Sequence, residues 1–411
     1  MAINTRPVSA GQALEVLRAG FRGQAAGGMR AAFMLHGRPG VGKSEIVAQL
    51  AAETGSLLFD LRLTTIDPAD LRGLPYYDHA TRRTVWYRPE DLPDDPARPA
   101  ILFLDELTAA PPAIQPAVYG LLQERRVGRH ALPDSVFLVA AGNAVEDGAV
   151  AYDMGTALSD RLIHLLVRAE AQDWIAGYAQ PRGLHPAVIA FLSTRPDLLE
   201  TTETALRRGE AIACTPRSWA RVAEIMAQVP DRRLRDILIA GVVGEAAAAE
   251  FALVAGEIAA TVQVQDMLAA KGSDRDRMYP ATMHGLTALA YALVAVADRE
   301  TLPAAIEIMA GLRDLGARRP DLATLPLAEL ATHGFEMLIR KALEADWQDL
   351  FLASAAYRAY AGGRWGWRDG PFRPCRPRAC PSGRGRPGAC RAGPVVRAPR
   401  RAGAAGGAHR G

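Results

Sequence analysis

The sequence predicts an α/β fold: a parallel five-stranded sheet with helices on both faces, followed by a helical lid and a further all-α C-terminal region. Three observations carry this. Short apolar runs alternate with helical patterns as far as about residue 168. Beyond Glu170 the pattern is helical throughout. A glycine-rich loop joins the first buried run to the helix after it, a connection typical of parallel α/β units.

The elements follow in order. Residues 9–20 read as a short amphipathic helix, with Leu14, Val16 and Leu17 on its apolar side. Residues 31–36 are a compact apolar strand, and a helical pattern through Ile46, Val47, Leu50 and Ala51 follows the loop. Residues 57–61 and 100–104 are the second and third strands, and the third ends in Asp105-Glu106. Residues 111–126 are helical, with proline early, where a missing N–H is tolerated. Residues 135–141 and 162–167 complete the sheet. The Pro-, Gly- and Tyr-rich stretch 67–88 reads as an inserted hairpin or loop. Pro216 and Pro230 bracket a helix over 217–229, and 234–268 reads as one alanine-rich helix. The expected division is 1–168 for the αβα core, 169–230 for the helical lid, 231–361 for the C-terminal helices and 362–411 for a tail.

Charge divides along the same lines. The 411-residue chain carries a formal net charge of +3. Residues 362–411 hold twelve Arg and one Asp, so the body before them is acidic, at −8. Of the tail's 50 residues, 39 are Arg, Gly, Pro or Ala. GC-rich DNA read out of frame has that composition, and so does a basic disordered tail. Cys375, Cys380, Cys390 and His409 lack tight zinc spacing. The body holds one cysteine, Cys214, which excludes an internal disulfide framework and predicts a reducing, cytoplasmic setting. No signal peptide is expected, and the longest strongly apolar run, 285–297, is too short to span a bilayer.

Only three lysines occur: Lys43, Lys271 and Lys341. Arginine replaces lysine on most solvated surfaces, but not where a compact ammonium must fit. Lys43 lies in Gly37-Arg38-Pro39-Gly40-Val41-Gly42-Lys43-Ser44, a Walker A loop. Glycines let the backbone turn N–H groups toward phosphate oxygens, and the next helix presents its positive end to the same anion. Lys43 is the candidate partner of the β and γ phosphates of ATP, and the Ser44 hydroxyl a ligand of Mg²⁺. Ile101 to Glu106 is a Walker B strand that delivers two carboxylates to the sheet's C-terminal edge. Asp105 is the second candidate for the Mg²⁺ shell, and Glu106 the group that polarises an attacking water. Asn143, at the tip of the 135–141 strand, can orient water or touch the γ-phosphate; alone it would be an ordinary turn former. Arg161 and Arg217 suit developing phosphate charge, although spacing by itself gives an arginine little weight in a chain with 45.

In their order these motifs resemble those of the AAA+ ATPases, and among them the MoxR family, over roughly residues 10–361. The resemblance rests on 36–44, 67–75, 102–112, 140–143, 157–162 and 215–219. It implies that Asn143 is the sensor 1 residue, that Arg161 is an arginine finger reaching a neighbouring subunit's nucleotide, and that Arg217 is sensor 2 on the lid. It also implies that the segment 72–88 is an insert facing a ring's pore. The family implies a hexameric homo-oligomer that remodels a partner complex, often one with a von Willebrand factor A domain and a metal cofactor to insert. Its chains usually stop near Tyr360, so the tail departs from the pattern.

Two other functions compete. A nucleic-acid motor or loader needs a basic groove, which an acidic body disfavours, although Arg72, Arg82, Arg83 and Arg88 in the insert retain it. A nucleotide-gated scaffold with little hydrolysis is disfavoured by Glu106 and Asn143.

Overall fold

The computed structural model describes residues 4–143 and 158–362. The expectations for Ala157 and for the tail beyond Gly362, its cysteines included, lie outside the described residues. The described residues as far as Tyr360 make one compact unit.

The first elements are strand β1 (Pro7–Val8), helix α1 (Ala10–Ala25), β2 (Ala32–His36), α2 (Lys43–Thr54), β3 (Leu57–Arg62) and α3 (Pro68–Arg72). The insert forms a hairpin of β4 (Pro75–Asp78) and β5 (Arg83–Trp86). Then come β6 (Ala100–Asp105), α4 (Gln115–Glu124), a small ribbon of β7 (Arg126–Val127) and β8 (His130–Ala131), β9 (Val136–Gly142) and β10 (Leu162–Val167). The central sheet runs β1-β10-β2-β9-β6-β3, all parallel. It contains the five expected strands and a sixth, β1, too short to announce itself in the sequence.

β2, β6 and β9 are buried at every residue, which is why they read as continuous apolar runs rather than alternations. Alternate side chains divide between two cores. Phe33, Leu35, Ile101, Phe103, Phe137 and Val139 pack with Leu14 and Leu17 of α1 and Ile46, Val47 and Leu50 of α2. Met34, Leu102, Leu104, Leu138 and Ala140 pack with Val118 and Leu121 of α4.

Helices fill the rest. Helix Pro216–Gln228 starts where Thr215 and Ser218 form a capping box and Pro216 occupies the first turn. Its Trp219 is fully buried and donates its indole N–H to the Leu198 carbonyl at 2.7 Å. The single alanine-rich helix expected over 234–268 is instead three: Arg232–Val243, Glu245–Thr261 and Val264–Ala269. Gly244 divides the first two, with φ 84° and ψ 154°, a conformation that ends a helix and that glycine enters at least cost. By length and composition Glu245–Ala269 would suffice to cross a membrane. It is broken near Val262, however, and Ala247, Ala248, Phe251 and Ile258 pack into the protein's own core. The apolar run at 285–297 is the helix Met283–Val296, buried from Gly285 to Leu293.

Candidate functional site

Parallel register assembles the site. β2, β9, β6 and β3 are aligned so that His36 lies opposite Gly142, Leu104 opposite Ala140, and Arg62 opposite Asp105. Their C-terminal ends therefore emerge together, and the residues just past each end share one edge.

The loop after β2 turns back through Gly40 at φ 80° and Gly42 at φ 104°, both in the left-handed region. A Cβ on Gly40 would stand 2.8 Å from the Thr215 hydroxyl oxygen, so this position also admits the start of helix Pro216–Gln228. α2 begins at Lys43 directly behind the loop, and its first-turn N–H groups have no helical acceptors.

Lys43 is buried, and its ammonium donates to the Gly37 carbonyl at 2.5 Å, the Arg38 carbonyl at 3.1 Å and Asn143 Oδ1 at 2.8 Å. Three oxygens around a buried cation offset its lost hydration. At the tip of β6, Asp105 Oδ2 accepts from the Ser44 hydroxyl at 3.2 Å, and Oδ1 accepts the Glu106 N–H at 2.8 Å. A hydroxyl beside a carboxylate is an all-oxygen donor set, which suits a hard divalent cation such as Mg²⁺. Glu106 has φ 58° and ψ 33°, a left-handed conformation that costs a side-chain-bearing residue free energy. It takes the chain off the strand line at the point where the carboxylate meets the cleft. The Thr64 hydroxyl donates to that carboxylate, and Arg62 Nε lies 3.8 Å from it. Asn143 is held by its backbone: its N–H donates to Thr108 Oγ1 at 3.0 Å, and the same hydroxyl donates to its carbonyl at 2.9 Å.

Lys43, Ser44, Asp105, Glu106 and Asn143 line one cleft of about 180 Å³, together with Pro39, Gly40, Gly42, Arg62, Gly142 and Arg217. Arg217 reaches it because its N–H donates to the Gly40 carbonyl at 3.3 Å. Further ties join the loop and α2 to the helices. Arg38 pairs with Glu200 at 2.7 Å and Glu203 at 3.0 Å, and Arg182 pairs with Glu45.

Three expected residues lie outside the lining. Gly37 stands behind it, donating its N–H to the Gly142 carbonyl at 3.3 Å and accepting from Lys43. Val41 is buried in the α1–α2 core. Arg161 is exposed on the turn before β10, where its N–H donates to the Leu158 carbonyl at 3.1 Å. Because Leu162 pairs with Ala32, Arg161 sits at the opposite edge of the sheet from the loop, about 20 Å along the strand direction.

Arg62, Thr64 and Thr108 are additions that no motif announces. A strand read one residue longer, to Arg62, would have brought that guanidinium level with Asp105. Of the insert's arginines, Arg88 is folded onto the carbonyls of Pro93 and Ala131, and Arg72 lies over the Trp86 ring. Arg82 and Arg83 are exposed.

Residues 32–162 match the family described as AAA domain, dynein-related subfamily. No curated protein is significantly similar to the chain in sequence. Among solved structures, a candidate ATPase from Cytophaga hutchinsonii is 16% identical, with 70% of this chain and 76% of that one covered and a TM-score of 0.29. A glycine-for-proline variant of RuvB from Thermotoga maritima is 15% identical, with 80% and 90% covered and a TM-score of 0.30. Likenesses at that level carry no functional weight. Loop, strand order and family match agree on the same segment, and over residues 32–162 this chain carries an AAA domain of the P-loop ATPase fold.

Proposed function

We propose that the chain is an ATP hydrolase of the AAA+ type, of the MoxR kind, that works as a homo-oligomeric ring and remodels a partner protein complex. The observation that supports it best is the convergence of Lys43, Ser44, Asp105, Glu106, Asn143 and Arg217 on one cleft behind a phosphate loop. The division at residues 168, 230 and 361 belongs to the same proposal. So do a cytoplasmic setting, a hexameric state and a partner with a von Willebrand factor A domain.

In this reading the loop N–H groups and the start of α2 hold the phosphates of ATP. Lys43 exchanges its carbonyl and amide partners for phosphate oxygens. Ser44 and Asp105 hold Mg²⁺, which when bound neutralises charge on the β and γ phosphates. Glu106 orients the attacking water and accepts its proton, with Thr64 and Arg62 setting the carboxylate. Asn143 fixes the far side of that water. Arg217 couples the cleft to the helix Pro216–Gln228. Arg161, remote from its own cleft, serves the cleft of the next subunit, so turnover requires assembly.

The test is a pair of variants. Glu106→Gln should bind ATP at wild-type affinity and lose about 10²- to 10⁴-fold in turnover. Arg161→Ala should assemble, lose about 10³-fold or more, and regain activity when mixed with subunits that carry an intact Arg161. Hydrolysis by Arg161→Ala at the wild-type rate would remove the finger assignment.

A further inference from the structure

Two imidazoles join the cleft edge of the sheet to the opposite edge. His36 is the last residue of β2, directly before Gly37, and is buried. His164 lies on the neighbouring strand β10, opposite Met34. The rings stack at 19° with centroids 5.0 Å apart, and His36 Nε2 is 2.8 Å from His164 Nδ1. The other nitrogen of His164, Nε2, is 2.8 Å from the Ser159 carbonyl oxygen and 3.1 Å from the Ser159 hydroxyl. Ser159 stands two residues before Arg161.

The proton placement follows from the partners. A carbonyl only accepts, so His164 Nε2 carries hydrogen. In neutral His164 Nδ1 is then the acceptor, and His36 Nε2–H donates to it. The result is a directed chain, from His36 through His164 to the Ser159 carbonyl. At its near end, the Gly37 carbonyl next to His36 is one of the oxygens that hold the Lys43 ammonium. At its far end, the short turn tied by the Arg161 N–H bond to Leu158 presents the guanidinium. The backbone ladder holds β2 to β10 but begins at Leu162; the bonds from His164 to Ser159 add directional contacts on the turn that precedes it.

We propose that His164 is a positioning residue: with His36 it forms a hydrogen-bonded relay through which the phosphate-loop strand sets the turn that carries Arg161. The inference rests on the trans role of Arg161 given above. It supplies a physical route by which the state of a subunit's own phosphate loop alters what that subunit offers its neighbour.

Steady-state ATP hydrolysis and binding of a non-hydrolysable ATP analogue, measured on full-length protein, test it. His164→Leu removes both bonds. His164→Asn keeps polarity but is too short to span from His36 to Ser159. His164→Gln can donate to the Ser159 carbonyl and accept from His36. The leucine and asparagine variants should lose about tenfold or more in kcat. Their KM and analogue affinity should stay within about twofold of wild type. The glutamine variant should recover most of the loss. Mixing His164→Leu with Glu106→Gln subunits, which contribute an intact Arg161 but no hydrolysis, should restore turnover as far as the same mixture with Arg161→Ala does. Wild-type turnover in both the leucine and asparagine variants overturns the relay. So does analogue binding weakened as much as turnover, or a failure to be restored where Arg161→Ala is restored. Wild-type turnover in Arg161→Ala overturns the finger reading, and the relay with it.

Discussion

The cleft edge of the sheet and the helices after residue 232 both bury polar groups, but in different ways. Among the helices the buried Tyr279 and Arg275 are closed in pairs, and the buried Thr287 hydroxyl has no hydrogen-bond partner among the described residues. The Tyr279 hydroxyl donates to the Ile308 carbonyl at 2.6 Å, and Arg275 is spent on Glu307 at 3.0 Å and the Ala270 carbonyl at 2.9 Å. Around them Leu286, Leu289, Leu293, Ile306, Met309 and Leu338 pack with no exposure. At the cleft, Lys43, Ser44, Asp105 and Glu106 are also bonded, but each borders open volume that a ligand can enter. A buried charge is therefore a poor sign of function by itself. The informative pattern is several of them converging on one cavity, with partners that can be exchanged.

That contrast can be broken experimentally. The largest expected effect is in the helices. Phe335 is buried, with its ring centroid 4.2 Å from that of Tyr360. Phe335→Ala should cost about 3–5 kcal/mol of stability in denaturant unfolding. Affinity for an ATP analogue should be unchanged where the variant is folded; weakened binding would show that the two regions are not separate. Next comes acid. Burial holds His36 down at about 4, helped by the nearby Lys43 ammonium, and burial also lowers His333 in the helices. Both imidazoles thus stay neutral in the folded chain where the unfolded chain takes up protons, below the ordinary value of 6.5. Stability should therefore fall as pH drops from 6.5 toward 4, with His36 contributing about 3 kcal/mol at most. Tm measured against pH should flatten over that window in His36→Gln; an unaltered slope would move the effect to the helices. The smallest effect concerns Arg62, whose exposed pairing with Glu106 is screened by solvent. Arg62→Ala should reduce ATP turnover by about two- to fivefold at low salt and less at high salt. A loss near that of Glu106→Gln would make Arg62 part of the chemistry rather than its setting.

Legibility in the sequence follows the same divide. Residues 37–44 and 101–106 could be read because their chemistry is contiguous: glycines at the turn, a helix start behind them, an apolar run that ends in two carboxylates. The insert was legible as a hairpin from its turn-rich composition, and β4 and β5 pair as expected. Residues 234–268 read as one helix because alanine-rich composition masks Gly244, whose backbone conformation ends the first segment. β1 does not show in the sequence because two residues carry no periodicity; pairing with Leu166 and Val167 makes it a strand.

By itself, then, the sequence determined the phosphate loop, the carboxylates and the parallel sheet that carries them, since each depends on neighbours a few residues away. Tertiary structure alone decided that Arg62 faces Glu106, that Thr108 clasps Asn143, that Arg161 lies at the opposite edge from its own cleft, and that His36 meets His164. Those relations are set by strand order and register. A shift of one residue in pairing reverses the face of every side chain on a strand, and β2, β6 and β9, buried on both faces, carry no alternation that would fix the choice.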